Sequence, residues 1–130
     1  MIIINKNNLN KLLLTFLLAI FSFVQISAQC IFATMYPYYP VAAPTTGSTI
    51  IDNCNFAGEY SEISSVVSGT TYTAEMVGGG YITVVDANGI IVDYGPSPLT
   101  WTASSSGIYQ LHWSLDAICT PSFSCITTML

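Results

Sequence analysis

Ile108-Tyr109-Gln110-Leu111-His112-Trp113-Ser114-Leu115 alternates at every step between large apolar or aromatic and polar side chains once past Ile108. Successive side chains of a strand point to opposite faces, so Tyr109, Leu111, Trp113 and Leu115 share one face and Gln110, His112 and Ser114 the other. The first set reads as core and the second as wet, as in an antiparallel sheet solvated on one side. Tyr72, Ala74 and Met76 against Thr71, Thr73 and Glu75 repeat the pattern, as do Leu99, Trp101 and Ala103 against Thr100 and Thr102. Trp101 and Trp113 therefore belong to packing.

Outward from this stretch, apolar and β-branched runs alternate with Gly, Pro, Asn and Ser clusters, and no segment sustains a helical period. The runs are Thr49 to Asn53, Glu59 to Val67, Thr70 to Val77, Tyr81 to Asp86, Ile90 to Tyr94, Leu99 to Ala103, Ile108 to Leu115 and Ser124 to Met129. About eight short strands suit an all-β, two-sheet antiparallel β-sandwich over residues 48–130. Turns fall at Ser68-Gly69, Gly78-Gly79-Gly80, Asp86-Ala87-Asn88-Gly89 and Ser104-Ser105-Ser106-Gly107, and Asn88-Gly89 is the strongest hairpin signal.

Before the sandwich, residues 29–47 carry Tyr36, Pro37, Tyr38, Tyr39, Pro40 and Pro44, which favour an extended N-terminal arm. Residues 1–28 read as a cleaved signal peptide: Lys6 and Lys11 precede the apolar run Leu12 to Val24, and Ser27-Ala28 is a small-residue exit. The apolar run is too short for a comfortable membrane span, so no stable span is expected in the mature chain. Gln29 before Cys30 fits a lipoprotein cleavage site poorly. A secreted protein, extracellular or periplasmic, is expected.

Residues 29–130 contain all seven acids and neither Lys nor Arg. Nucleic-acid binding draws its affinity from basic side chains on phosphates, so nucleic acid is excluded as a partner. Arginine clamps, lysine nucleophiles and conventional salt bridges are excluded with it. Stability must come from burial, backbone pairing and disulfides.

The four cysteines, Cys30, Cys54, Cys119 and Cys125, all lie in the exported part, where disulfides are the ordinary state. Four cysteines allow three pairings. We favour Cys119 with Cys125, which bracket a short loop containing Pro121, leaving Cys30 with Cys54 as a clip on the arm. Zinc is the rival, but the spacings match no common structural zinc pattern and His112 is the only histidine.

Several short motifs recur in a fixed order: Asn53-Cys54-Asn55-Phe56-Ala57-Gly58-Glu59-Tyr60, Ser68-Gly69-Thr70-Thr71-Tyr72-Thr73, Tyr81-Ile82-Thr83-Val84-Val85-Asp86-Ala87-Asn88-Gly89, Leu99-Thr100-Trp101-Thr102-Ala103 and Ser106-Gly107-Ile108-Tyr109. With the late cysteine pair, this order resembles secreted Bacteroidetes β-sandwich modules similar to bacterial pre-peptidase C-terminal (PPC-like) domains. The resemblance implies a jelly-roll or PPC-like sandwich. It also implies a non-catalytic appendage, of the kind carried by secreted proteases and adhesins for surface attachment or folding.

Catalysis finds little support. His112 is the one candidate base for a nucleophile and is expected on a polar strand face, and Asp86 with Asp93 as a carboxylate pair would need a cleft that so small a domain scarcely offers. No enzyme is expected. Asp86, Asn88 and Asp93 supply hard oxygen donors near one loop and are candidate calcium ligands, although Asp-Ala-Asn-Gly is equally a tight turn. No other cofactor is expected. The candidate recognition residues are aromatic: Tyr36, Tyr38 and Tyr39 in the arm, with Tyr81 and Tyr94 near strand ends. Exposed tyrosines stack on sugar faces or pack in protein interfaces, whereas an arm folded back would use them as cover.

Two functions remain. The first is a non-catalytic accessory module for adhesion or carbohydrate binding, its partner an extracellular polymer or surface protein. The alternative is a self-assembling structural subunit of a surface polymer or adhesin, whose arm adds a strand to a neighbour's open sheet edge.

Overall fold

The computed structural model describes residues 5–8, 10–11 and 29–130, and the expected signal segment lies for the most part outside them. The arm contributes β1 (Thr34–Met35) and β2 (Val41–Ala42). The strands that follow are β3 (Ile50–Ala57), β4 (Glu59–Val66), β5 (Thr71–Met76), β6 (Tyr81–Val85), β7 (Ile91–Pro96), β8 (Leu99–Thr102), β9 (Gly107–Ser114) and β10 (Ser122–Met129). The eight runs expected from the sequence are therefore all present. β3 continues through Ala57 and β10 begins at Ser122, because Ser122 pairs with Ala57 and Ile126 with Asn55. Among the described residues no helix is long and apolar enough to cross a membrane.

Two sheets pack face to face. One runs β7-β6-β9-β4, with β1 and β2 on the far edge of β4; the other runs β3-β10-β5-β8. The chain changes sheet at Gly58, where Ala57 and Glu59 pair across it. Gly58 has φ +106°, which L side chains rarely adopt, and a Cβ there would stand 3.1 Å from the Pro121 Cβ. At the other side β7 and β8 end the ladder, so the sandwich is open rather than a closed barrel. Ile63, Tyr109, Leu111 and Trp113 from the first sheet meet Tyr72, Ala74, Met76 and Trp101 from the second in one core.

The wet face expected on β9 is corrected. Tyr109, Leu111 and Trp113 are buried as expected, but His112 is 1% exposed and Ser114 0%, while Leu115 is 44% exposed. Ser114 is closed in where its Oγ–H reaches the Tyr81 and Asp116 carbonyls, and His112 is covered by the arm. The arm's Cys30 N–H donates to Thr83 Oγ1 on β6 and its Phe32 N–H to His112 Nδ1 on β9, so the arm straps the outer face of β6 and β9. Leu115 lies past the end of β9, where the chain turns around Asp116.

From Thr34 the arm runs parallel to β4, Thr34 and Met35 beside Glu59 and Tyr60, then Val41 and Ala42 beside Ile63 and Ser64. It thereby occupies an edge that would otherwise be free.

The favoured disulfide pairing is also corrected: Cys30 bonds Cys119, and Cys54 bonds Cys125. Cys54 and Cys125 lie on adjacent antiparallel strands with Cα atoms 4.1 Å apart, so neighbouring strands bring them together. Cys119 belongs to the β9–β10 turn. There Asp116 Oδ1 accepts the Ile118 and Thr120 N–H groups, each over 3.1 Å, and holds Cys119 at φ 66°. That turn faces the start of the arm, and the Cα atoms of Cys30 and Cys119 are 5.3 Å apart.

Candidate functional site

One backbone carbonyl anchors the candidate surface. Tyr36 O accepts from Asn55 Nδ2 on β3 over 2.8 Å and from Ser61 Oγ on β4 over 2.7 Å. Trp113 Nε1–H donates in turn to Ser61 Oγ over 2.9 Å, and Thr128 Oγ1 on β10 donates to Asn55 Oδ1. Asn55, Ser61 and Thr128 are each 0% exposed. Hydrogen bonds to buried groups are costly to lose, so this chain of polar atoms ties the arm to both sheets. Tyr36 N–H completes the attachment by donating to Tyr60 O.

Past that anchor the side chains turn outward. Tyr38 is 81% exposed and Tyr39 64%, whereas Tyr36 is half-buried and Pro37 is buried. The Tyr36 and Tyr38 rings meet edge to face at 82°, with centroids 5.5 Å apart. Asp52 and Glu59 share their surroundings: Asp52 above all, then burial, then Glu59, Tyr38 and Tyr39 push the Tyr36 phenol above its ordinary pKa. Asp52 Oδ1 accepts the Cys54 N–H and Glu59 Oε2 the Phe56 N–H. The Phe56 ring packs edge-on against Phe123, which is 90% exposed.

Tyr36, Tyr38 and Tyr39 are thus brought together, and Tyr81 and Tyr94 form a separate pair. Thr83 faces Tyr94 across β6 and β7, and burial first, then Tyr94 and Asp93, raises the Tyr81 pKa. The candidate calcium ligands serve local structure. Asp86 Oδ1 accepts the Asn88 and Ile90 N–H groups at 2.8 and 2.9 Å, closing the turn, while Asp93 Oδ1 accepts the Tyr94 N–H. Among the described residues no group of three or more His, Cys, Asp or Glu side chains could hold a metal ion.

His112 lies beneath the arm, with the Tyr60 ring centroid 5.1 Å away and that of Phe32 6.2 Å away. Burial lowers its pKa from 6.5 to about 4. Its Nδ1 takes the Phe32 N–H, and its buried Nε2 has no partner among the described residues, so the bond the ring makes there is to the arm backbone.

The sequence did not single out Asn55, Ser61 and Thr128, because polar residues inside strands ordinarily read as surface. Phe123 carried a misleading signal: flanked by Ser122 and Ser124 it reads as an inward apolar position, yet it is 90% exposed.

The chain matches no family model, no curated protein and no solved structure.

Proposed function

We propose that this is a secreted, non-catalytic module for adhesion or binding at extracellular polymers or a cell surface, with the arm tyrosines as its contact surface. The observation that carries the reading is a contrast within four residues. The Tyr36 carbonyl is held by two buried donors, yet Tyr38 and Tyr39 stand 81% and 64% exposed. Large apolar rings held on a fixed backbone lose little freedom on binding, which favours recognition. The two disulfides fit an oxidising compartment. Kinship with pre-peptidase C-terminal modules belongs to the same reading and rests on the motif order from Asn53 to Tyr109.

An assembly subunit has less support, since β1 and β2 already pair with β4 of their own chain. The test is retention of the oxidised protein on insoluble polysaccharides, collagen and whole-cell envelopes, with and without calcium. Selective retention is expected on at least one surface. Absence of retention on all of them, with large oligomers in solution, would replace this reading by the assembly subunit.

A further inference from the structure

The arm surface combines exposed rings with acids that no Lys or Arg side chain of residues 29–130 can pair, since that span contains neither. Asp52 and Glu59 each commit one carboxylate oxygen to a backbone N–H, of Cys54 and of Phe56. Their second oxygens, Asp52 Oδ2 and Glu59 Oε1, have no hydrogen-bond partner among the described residues. β1 lays the arm beside Glu59, Asp52 and Glu59 both act on the Tyr36 phenol, the Tyr36 ring meets that of Tyr38, and Tyr38 and Tyr39 expose most of their surface. A guanidinium or ammonium group is drawn to both elements, to a ring face by its quadrupole and to a carboxylate by charge. Ring geometry separates the two sources of such groups. A sugar polymer stacks best on rings lying in one plane, and the half-buried Tyr36, at 82° to Tyr38, does not extend Tyr38 into such a plane.

We infer that this surface docks a lysine- and arginine-rich segment of another protein, an inference that rests on the binding role proposed for the arm. Tyr38 and Tyr39 supply the ring faces, and Asp52 and Glu59 the counter-charge.

The experiment measures retention of the oxidised full chain on immobilised poly-L-arginine, poly-L-glutamate, cellulose and chitosan over a range of salt concentrations. Poly-L-arginine alone is expected to retain it, less so as salt rises. Tyr38→Ala with Tyr39→Ala is expected to weaken retention about tenfold, as is Asp52→Asn with Glu59→Gln. The second pair keeps the carbonyl oxygens that accept the Cys54 and Phe56 N–H groups, and unchanged melting would verify the fold. Glu75→Gln with Asp93→Asn removes the same charge elsewhere, on β5 and β7, and is expected to change retention by less than about twofold. Equal loss from that pair would reduce the effect to net charge and overturn the inference. So would retention on chitosan as strong as on poly-L-arginine, or retention indifferent to Tyr38 and Tyr39. Tyrosine-dependent retention on cellulose, collagen or envelopes without retention on poly-L-arginine would overturn it while leaving the adhesive role standing.

Discussion

The Phe32 backbone N–H donates to His112 Nδ1 over 3.0 Å, bridging residues 80 apart in the sequence. This bond requires a lone pair on Nδ1 and so exists only with neutral imidazole.

Acid should therefore loosen the arm. The folded-state pKa of His112, about 4, lies below the ordinary 6.5, so the fold favours the neutral ring. The resulting stability is complete above about pH 6.5 and is lost as pH falls through that value toward 4, a few kcal/mol in all. The groups facing the ring from β4, β6 and the arm are Tyr60, Thr83 and Phe32, none of them a carboxylate, lysine or arginine. Melting temperature should drop between pH 7 and pH 4. His112→Asn, whose Oδ1 accepts the Phe32 N–H at any pH, should flatten that drop; an equally steep drop in the variant would show that other groups govern it.

Peptide mapping without reduction should recover Cys30 joined to Cys119 and Cys54 joined to Cys125. Proteases that cut after acidic or aromatic residues are needed, because residues 29–130 contain no Lys or Arg. Cys30→Ser with Cys119→Ser opens a link spanning 89 residues and should cost about 2–4 kcal/mol. A Cys119–Cys125 fragment would refute the arrangement of the β9–β10 turn.

Ser61→Ala removes one donor to Tyr36 O and the acceptor of Trp113 Nε1–H. Leaving that indole N–H buried and unpaired should cost about 1–3 kcal/mol in denaturant unfolding. Asn55→Ala should be coupled to it, because both side chains bond the same carbonyl, and a double-mutant cycle showing strict additivity would contradict a shared anchor.

Gly58→Ala should lower the melting temperature, with a cost of about 1–2 kcal/mol, since the residue turns the chain between sheets at φ +106° close to Pro121. An unchanged melting temperature would mean that this corner relaxes at no cost.

The inward faces were legible because burial between two sheets imposes alternation: Tyr109, Leu111 and Trp113 on β9 and Tyr72, Ala74 and Met76 on β5 all lie in the core. The outer face of β9 was illegible for the same physical reason. His112 and Ser114 are polar, and what buries His112 is the Phe32 end of an arm far away in sequence, invisible to local periodicity. Cysteine pairing failed likewise, since the shorter loop between Cys119 and Cys125 suggested proximity while strand adjacency placed Cys125 beside Cys54. For the site, composition located the tyrosines, but their division into a half-buried Tyr36 and exposed Tyr38 and Tyr39 depends on the buried donors Asn55 and Ser61.

The most direct measurement compares wild type with Tyr38→Ala/Tyr39→Ala in retention on a cell envelope or extracellular polymer that holds the wild type, alongside thermal melting. Both side chains are largely exposed, so melting should stay within a few degrees while retention falls at least about tenfold. Unchanged retention at equal stability would contradict the arm as the contact surface, and loss of folding would mean that these tyrosines serve the sandwich rather than a partner.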